Sequence, residues 1–235
     1  MAARWTTVEE LRDRHIREMG AELGAIYHVI SNEVAGLHAK WEQYCRLFAT
    51  SERRVKLLNE TAGYFFRLIQ DTFFEDVVLG LARLTDSIQI GRGKKAQENL
   101  TLQRLPSLIP DPRLRQDLEG LVEAALDACD APRAWRNKRL AHRDLPVALA
   151  TTGDPLPGIS RADINVALGA FRTLLNQLEE NYGAPVYYEH VLTNAGDADS
   201  LLYFLNRGRK GEQAMRARLR AGTPLPEDLI PEEEI

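Results

Sequence analysis

The sequence predicts an all-α protein, an up-and-down helical bundle, and three observations predict it. Apolar residues recur at steps of three and four along most of the chain, strand signals are nearly absent, and capping residues or prolines stand where periodic runs begin. A length of 235 residues with 44% hydrophobic content is enough for a sizeable core in one large domain, or in a domain with an appendage.

Thr6 and Glu9 have capping-box spacing and open a first helix, which Gly20 and Gly24 interrupt. Ile26, Ile30, Val34, Leu37, Trp41, Tyr44 and Phe48 then line one face, and Ser51 restarts the chain. From Glu52 to about Thr85 the inward pattern is Val55, Leu58, Ala62, Phe65, Ile69, Phe73, Val77, Leu81 and Leu84. At 1.5 Å per residue that helix is a rod of roughly 50 Å, and so short a link predicts an antiparallel pair. The stretch DSIQIGRGKKAQE reads as a loop, and Asn99 as the cap of a short helix through Leu102 and Leu105, ended by Pro106 and Pro110. Asp111 followed by Pro112 starts a helix carrying Leu114, Leu118, Leu121 and Leu126, and Asp130 with Pro132 marks a break and a new start. PVALATTGDPLPGI is a long loop, after which Ser160 and Asp163 open a helix with Ile164, Leu168, Phe171, Leu175, Leu178 and Tyr182 inward.

Beyond Gly183 the composition changes to an aromatic-rich link, PVYYEHV, a helix from about Ala198 bearing Arg207, Arg209, Lys210, Arg216, Arg218 and Arg220, and the acidic tail PEDLIPEEEI. The expected division is a helical bundle over residues 1–183 and a C-terminal helical appendage over 184–235. A net charge of −4 and a pI near 5.8 exclude a generic nucleic-acid coat protein but leave room for a local basic site. Cys45 and Cys129 form neither a CxxC pair nor a disulfide framework. The N-terminus lacks an apolar signal core, and no run approaches the ~18 apolar residues of a membrane span. The expectation is a soluble, cytoplasmic protein with no membrane partner.

The stretch AWRNKRLAHRDL, residues 134–145, carries the chemistry. Near the start of a helix, free amides and the positive dipole end favour an anion. Arg136 adds a bidentate donor fork, Asn137 an adaptable amide, and His142 an imidazole able both to give and to take a proton. These are parts of a phosphodiester-cleaving site. No HxH, HExxH or carboxylate cluster with ligand spacing accompanies them, so neither a metal nor another cofactor is expected. Residues six apart on an ideal α-helix are rotated by about 240° and raised by about 9 Å, so Arg136 and His142 do not share one narrow face. Two copies meeting across a two-fold axis could supply a composite cleft, which points to a homodimer.

RNKRLAH resembles the RNxxxxH signature of the HEPN superfamily, and TFFEDVVLGLARLTDS, NLTLQRL and AWRNKRLAHRD in that order resemble its abortive-infection, U-type branch in bacterial defence. The similarity is clearest over residues 73–144 and loosely covers the chain to about 182. It implies a helical bundle that dimerises through the signature helix and a metal-independent endoribonuclease of a phage-defence or toxin–antitoxin system, acting on RNA, tRNA included. On that likeness His142 would assist attack of a ribose 2′-hydroxyl or protonate the leaving 5′-oxygen, leaving a 2′,3′-cyclic phosphate. Arg136 would stabilise charge on the phosphate and Asn137 would position the signature. An antitoxin or defence-system partner protein is implied as well. The chain continues His142, Arg143, Asp144, Leu145 without a following tyrosine, so the likeness does not extend to control by tyrosine modification.

Each residue also has a plainer reading. Arg136 and His142 could lie on a solvated or ion-paired helix face, and Arg139 and Arg143, read as substrate-phosphate contacts, could be solvated cations. Arg83 and Asp86 read as an intrahelical ion pair or structural contact, with support of the signature as the alternative. The basic residues from Arg207 to Arg220 either contact RNA or simply solubilise a helix. His15, His28, His38 and His190 stand alone and are assigned no chemistry. At the level of the whole protein, the alternative to a nuclease is a non-catalytic HEPN-type binding or scaffold module.

Overall fold

A computed structural model describes residues 7–91, 96–140, 149, 158–183 and 196–229. Its architecture is all-α, as expected, with helices α1 (Val8–Met19), α2 (Ala21–Phe48), α3 (Glu52–Leu84), α4 (Pro112–Ala128), α5 (Asp130–Trp135), α6 (Arg161–Tyr182) and α7 (Ala198–Ala221). The exception among the described residues is a pair of two-residue antiparallel strands, β1 (Gln89–Ile90) and β2 (Gln97–Glu98), inside the stretch expected as a loop.

Local chemistry explains most boundaries. The capping box of α1 is Thr7 with Glu10, one residue later than expected: Thr7 Oγ1 accepts from Glu10 N at 3.1 Å, and Glu10 accepts from Thr7 N at 3.0 Å. The doubled Thr-Thr and Glu-Glu offer two registers that spacing alone cannot separate. Asp111 caps α4 at 2.8 Å from Leu114 N, and Ser160 with Asp163 forms the expected capping box on α6. Asp197 caps α7 by accepting from the amides of Asp199 and Ser200, both at 3.1 Å. The short helical turn Leu102–Arg104 is capped by Thr101 rather than Asn99, whose side chain instead donates to Ser87 O at 2.8 Å, and a second turn, Pro106–Leu108, follows without a side-chain cap. The loops PVALATTGDPLPGI and PVYYEHV lie wholly or almost wholly outside the described residues.

The backbone of α3 leaves helical geometry at Ala62 (φ −152°, ψ 62°). The break shifts the inward face by one position: Leu58 is buried before it and Phe66 after it, while Phe65, expected inside, is 56% exposed. Past the break Val77, Leu81 and Leu84 are buried as the periodicity requires.

The chain divides into two compact units, Met1–Trp41 with Thr72–Val191, and Glu42–Asp71 with Leu192–Ile235. In the first, α2 and α3 run antiparallel: Lys40 pairs with Asp76 at 2.5 Å and Glu33 with Arg83 at 3.5 Å. The missing side chain of Gly80 admits Leu37 between them, since a Cβ there would lie 2.4 Å from Leu37 Cδ2. Tyr27, Ile30, Val34, Val77, Leu81, Leu118, Phe171 and Leu175 form its dry interior. Trp41 Nε1 ties α2 to α6 by donating to Asn165 Oδ1 at 2.6 Å. The second unit gathers Tyr44, Leu47, Leu58, Phe66, Ala198 and Leu202. Arg46 holds it together by reaching Glu42, Asp197 and Asp199 at 2.5, 2.5 and 2.9 Å. Among the described residues no helix is long and apolar enough to cross a membrane.

Candidate functional site

The site is built on the C-terminal end of α3. A helix leaves its last carbonyls without intrahelical donors; here Thr85 Oγ1 donates to Leu81 O and Ala82 O, and the turn that follows is held from NLTLQRL, where Gln103 Nε2 donates to Asp86 O at 2.7 Å and to Thr85 O at 3.4 Å. Arg104 fastens the same loop, donating to Asn99 O at 2.5 Å, Ile88 O at 3.3 Å and Glu98 Oε2 at 2.9 Å. The turn carrying Asp86 is therefore braced on its backbone side.

Its side chain is met from AWRNKRL. After α5 the backbone of Arg136–Leu140 widens into a π-helical turn, a winding that often marks functional positions. The ideal α-helical angles assumed for this stretch do not hold there. Arg136 reaches back across 50 residues of sequence with both terminal nitrogens: Nη1 donates to Asp86 Oδ2 at 2.9 Å and Nη2 to Oδ1. The two side chains keep 20% and 15% of their surface, so the pair is neither dry nor fully solvated. Arg136 Nε is buried without a hydrogen-bond partner among the described residues. Arg83, the expected intrahelical partner of Asp86, pairs with Glu33 instead. Glu33, Arg83, Leu84, Asp86, Asn99 and Leu100 line a cleft of about 360 Å³.

Asn137, Lys138 and Arg139 are exposed on the π-turn. The Arg139 guanidinium lies 4.7 Å above the Trp135 ring, and Trp135 meets Phe74 edge-on at 5.9 Å, so an aromatic pair orients this cation. Beneath them Cys129 is fully buried, and burial pushes its thiol up to about 12, which makes it a packing residue and not a nucleophile. Arg136, Asn137 and Arg139 thus share one turn, with Arg136 held to Asp86 and Arg139 over Trp135. His142 and Arg143 lie outside the described residues, as does His190.

A second set of displaced titrating groups lies elsewhere in the first unit. His15, His28 and Tyr27 cluster, with His15 edge-on to Tyr27 at 4.9 Å and 5.5 Å from His28. Burial, then His28 and Arg14, push His15 down to about 4; burial also lowers His28 and His38. Glu179 is raised by burial although Tyr27 donates to it at 2.5 Å. Of the histidines that stand alone in sequence, His15 and His28 are buried and pack together, and His38 is half-buried. Among the described residues no group of three or more His, Cys, Asp or Glu is arranged to hold a metal ion. Sequence spacing missed Gln103 and Trp135, whose parts depend on contacts made across the fold; the proximity of both to the stretches NLTLQRL and AWRNKRL was the available signal.

A family model, HEPN_AbiU2, described as AbiU2, matches residues 20–201. No curated protein and no solved structure matches the chain.

Proposed function

From its membership of the HEPN_AbiU2 family, to which this chain belongs as an abortive-infection, defence-related HEPN domain, we propose that it is a metal-independent endoribonuclease acting in the bacterial cytoplasm. The observation that carries the reading is the bidentate hold of Asp86 on Arg136, which aims a guanidinium from the signature stretch while Gln103 braces the other side of that turn. Two of the five guanidinium N–H groups are engaged by Asp86 and Nε is buried, which leaves the second hydrogens of Nη1 and Nη2 to meet a phosphate. Charge building on a phosphate oxygen is stabilised most by a donor that needs no reorientation at the moment of reaction. Arg136 supplies that donor, Asn137 positions the backbone of the turn, and Arg139 and Arg143 hold neighbouring phosphates. His142 moves the proton, taking it from the attacking 2′-hydroxyl or giving it to the leaving 5′-oxygen. The phosphorus–5′-oxygen bond breaks as the 2′-oxygen–phosphorus bond forms, so the product ends are a 2′,3′-cyclic phosphate and a 5′-hydroxyl. Two protomers meeting through the signature helix would place two such sets in one cleft. An antitoxin or defence-system protein is the proposed partner.

One observation favours a second reading. An arginine already neutralised by a carboxylate is also what a purely structural contact requires, and a HEPN-type scaffold would bind a partner without cutting RNA. Incubating wild type and His142→Ala with total bacterial RNA, tRNA included, in EDTA separates the two. Cyclic-phosphate ends made by wild type alone are expected. RNA left intact by both folded proteins would overturn the nuclease reading in favour of the scaffold.

A further inference from the structure

In the second unit a basic groove of about 530 Å³ lies between the first turns of α3 and the first half of α7. Arg53, Arg54, Lys56, Arg209 and Lys210 line it against two carboxylates, Glu60 and Asp199, in a chain whose net charge is −4. Both carboxylates are occupied: Arg54 pairs with Asp199 at 2.6 Å, and Arg209 pairs with Glu60. Arg53 and Lys210 are exposed and make no ion pair among the described residues. Further along α7, Arg216 pairs with Glu212 and Arg218 with Asp228 of the acidic tail, while Arg207 donates to the Tyr203 hydroxyl at 3.3 Å.

Aromatic rings adjoin the cations. Tyr203 is 58% exposed on the groove wall, and next to it Phe204 is 67% exposed in a neighbouring depression that shares Asp199 and Tyr203 with the groove. Positive charge along a trough, with ring faces open beside it, is the arrangement that holds a single nucleic-acid strand: phosphates on the cations and bases stacked on the rings. Asn206 and Gln213 add neutral amides to the lining. A nucleotide carries anions together with hydroxyl and amino donors, and so can use cations, amides and carboxylates alike. A run of Asp and Glu side chains could meet the cations but brings no ring to stack on Tyr203 and Phe204, which stand exposed beside them.

We propose that this groove binds single-stranded RNA as a site separate from the signature stretch. Its α7 wall, from Tyr203 onward, lies past the last residue matched by the family. The choice of RNA over DNA rests on the proposed nuclease activity; the recognition of a single strand does not.

The test is fluorescence anisotropy of a labelled single-stranded RNA with the full chain on a His142→Ala background, so that cleavage does not consume the probe. Neutralising Arg53 and Lys210 together (Arg53→Gln, Lys210→Gln) is expected to weaken binding at least tenfold. Removal of two phosphate contacts also lowers the slope of log affinity against log salt by about 1.4. Tyr203→Ala is expected to weaken binding roughly tenfold through lost stacking and leave that slope unchanged. Circular dichroism and melting checks that the variants fold. Equal binding by parent and variants would overturn the proposal, as would equal affinity for a duplex of the same length, or polyglutamate competing as well as RNA at matched charge. Failure of the nuclease reading is seen separately, as uncut RNA with wild type while these anisotropy differences persist.

Discussion

Asp86 and Glu179 are both carboxylates met by a side chain from far along the chain, one by Arg136 and the other by Tyr27. Asp86 keeps some contact with water and faces a full positive charge. Glu179 is 4% exposed, receives one hydrogen bond from a neutral hydroxyl, and has a second oxygen buried without a partner among the described residues. Burial raises its pKa because charge there is a cost. The contrast teaches that the surroundings decide how a carboxylate is held. Glu179 helps to hold the interior together, while Asp86, the partner of Arg136, lines a cleft.

The interior side of this comparison is most easily broken at Gly24. A Cβ there would lie 2.3 Å from the carbonyl oxygen of His15, a backbone atom that cannot step aside without moving α1 away from α2. Gly24→Ala is expected to cost more than about 3 kcal/mol of folding stability. The same change at Gly63, where the nearest atom is an Asn59 side-chain oxygen at 3.9 Å, is expected to leave stability nearly unchanged. Chemical denaturation of both variants checks this. Equal midpoints would mean that the close approach of α1 and α2 does not exist in solution.

His15 supplies the pH dependence of the same cluster. Its folded pKa of about 4 lies below the ordinary 6.5, so between those values the unfolded chain binds more protons than the folded one. Stability from this group is therefore present above pH 6.5 and is lost as pH falls toward 4, by about 2 to 3 kcal/mol. Glu179 acts in the opposite sense, since its raised pKa favours folding below its ordinary 4.5 and loses that contribution as pH rises. His28, Arg14 and Glu18 face the cluster and shape the same window. His15→Phe keeps a ring against Tyr27 and removes the titration. Its stability should vary less than that of wild type across pH 4 to 6.5, and superimposable profiles would show that His15 is not the group responsible.

Much of this was legible in the chain and some of it was not, for physical reasons. Helical period, the Asp111-Pro112 start and the Ser160/Asp163 box are local signals, and local signals survive into the fold. The phase slip at Ala62 was hidden because a periodic pattern presumes a regular backbone, so Phe65 was assigned to the inside that Phe66 occupies. At the site, Arg136, Asn137 and Arg139 announced themselves by type and spacing. The partner of Arg136 did not, because Asp86 sits three residues from Arg83 and invited an intrahelical pair, whereas the fold offered Arg83 the nearer Glu33 across α2. A π-turn carries no sequence signature comparable to a capping box, so the widening at Arg136–Leu140 was equally invisible.

The finest test sets the two carboxylates side by side by removing charge while keeping shape. Asp86→Asn leaves Arg136 with a neutral partner in a half-dry position where Nε already lacks one. The expected loss is about 2 kcal/mol, between the limits for surface and buried ion pairs. Glu179→Gln keeps an acceptor for the Tyr27 hydroxyl and removes a charge that burial disfavours. At pH 7 and above its stability should stay within about 1 kcal/mol of wild type, and any change should be an increase. Thermal melts of both variants at pH 7.5 decide the matter. Should Glu179→Gln prove the more damaging of the two, the roles are reversed: the buried carboxylate would be using its charge, and the fold would depend on it more than on the Asp86–Arg136 pair.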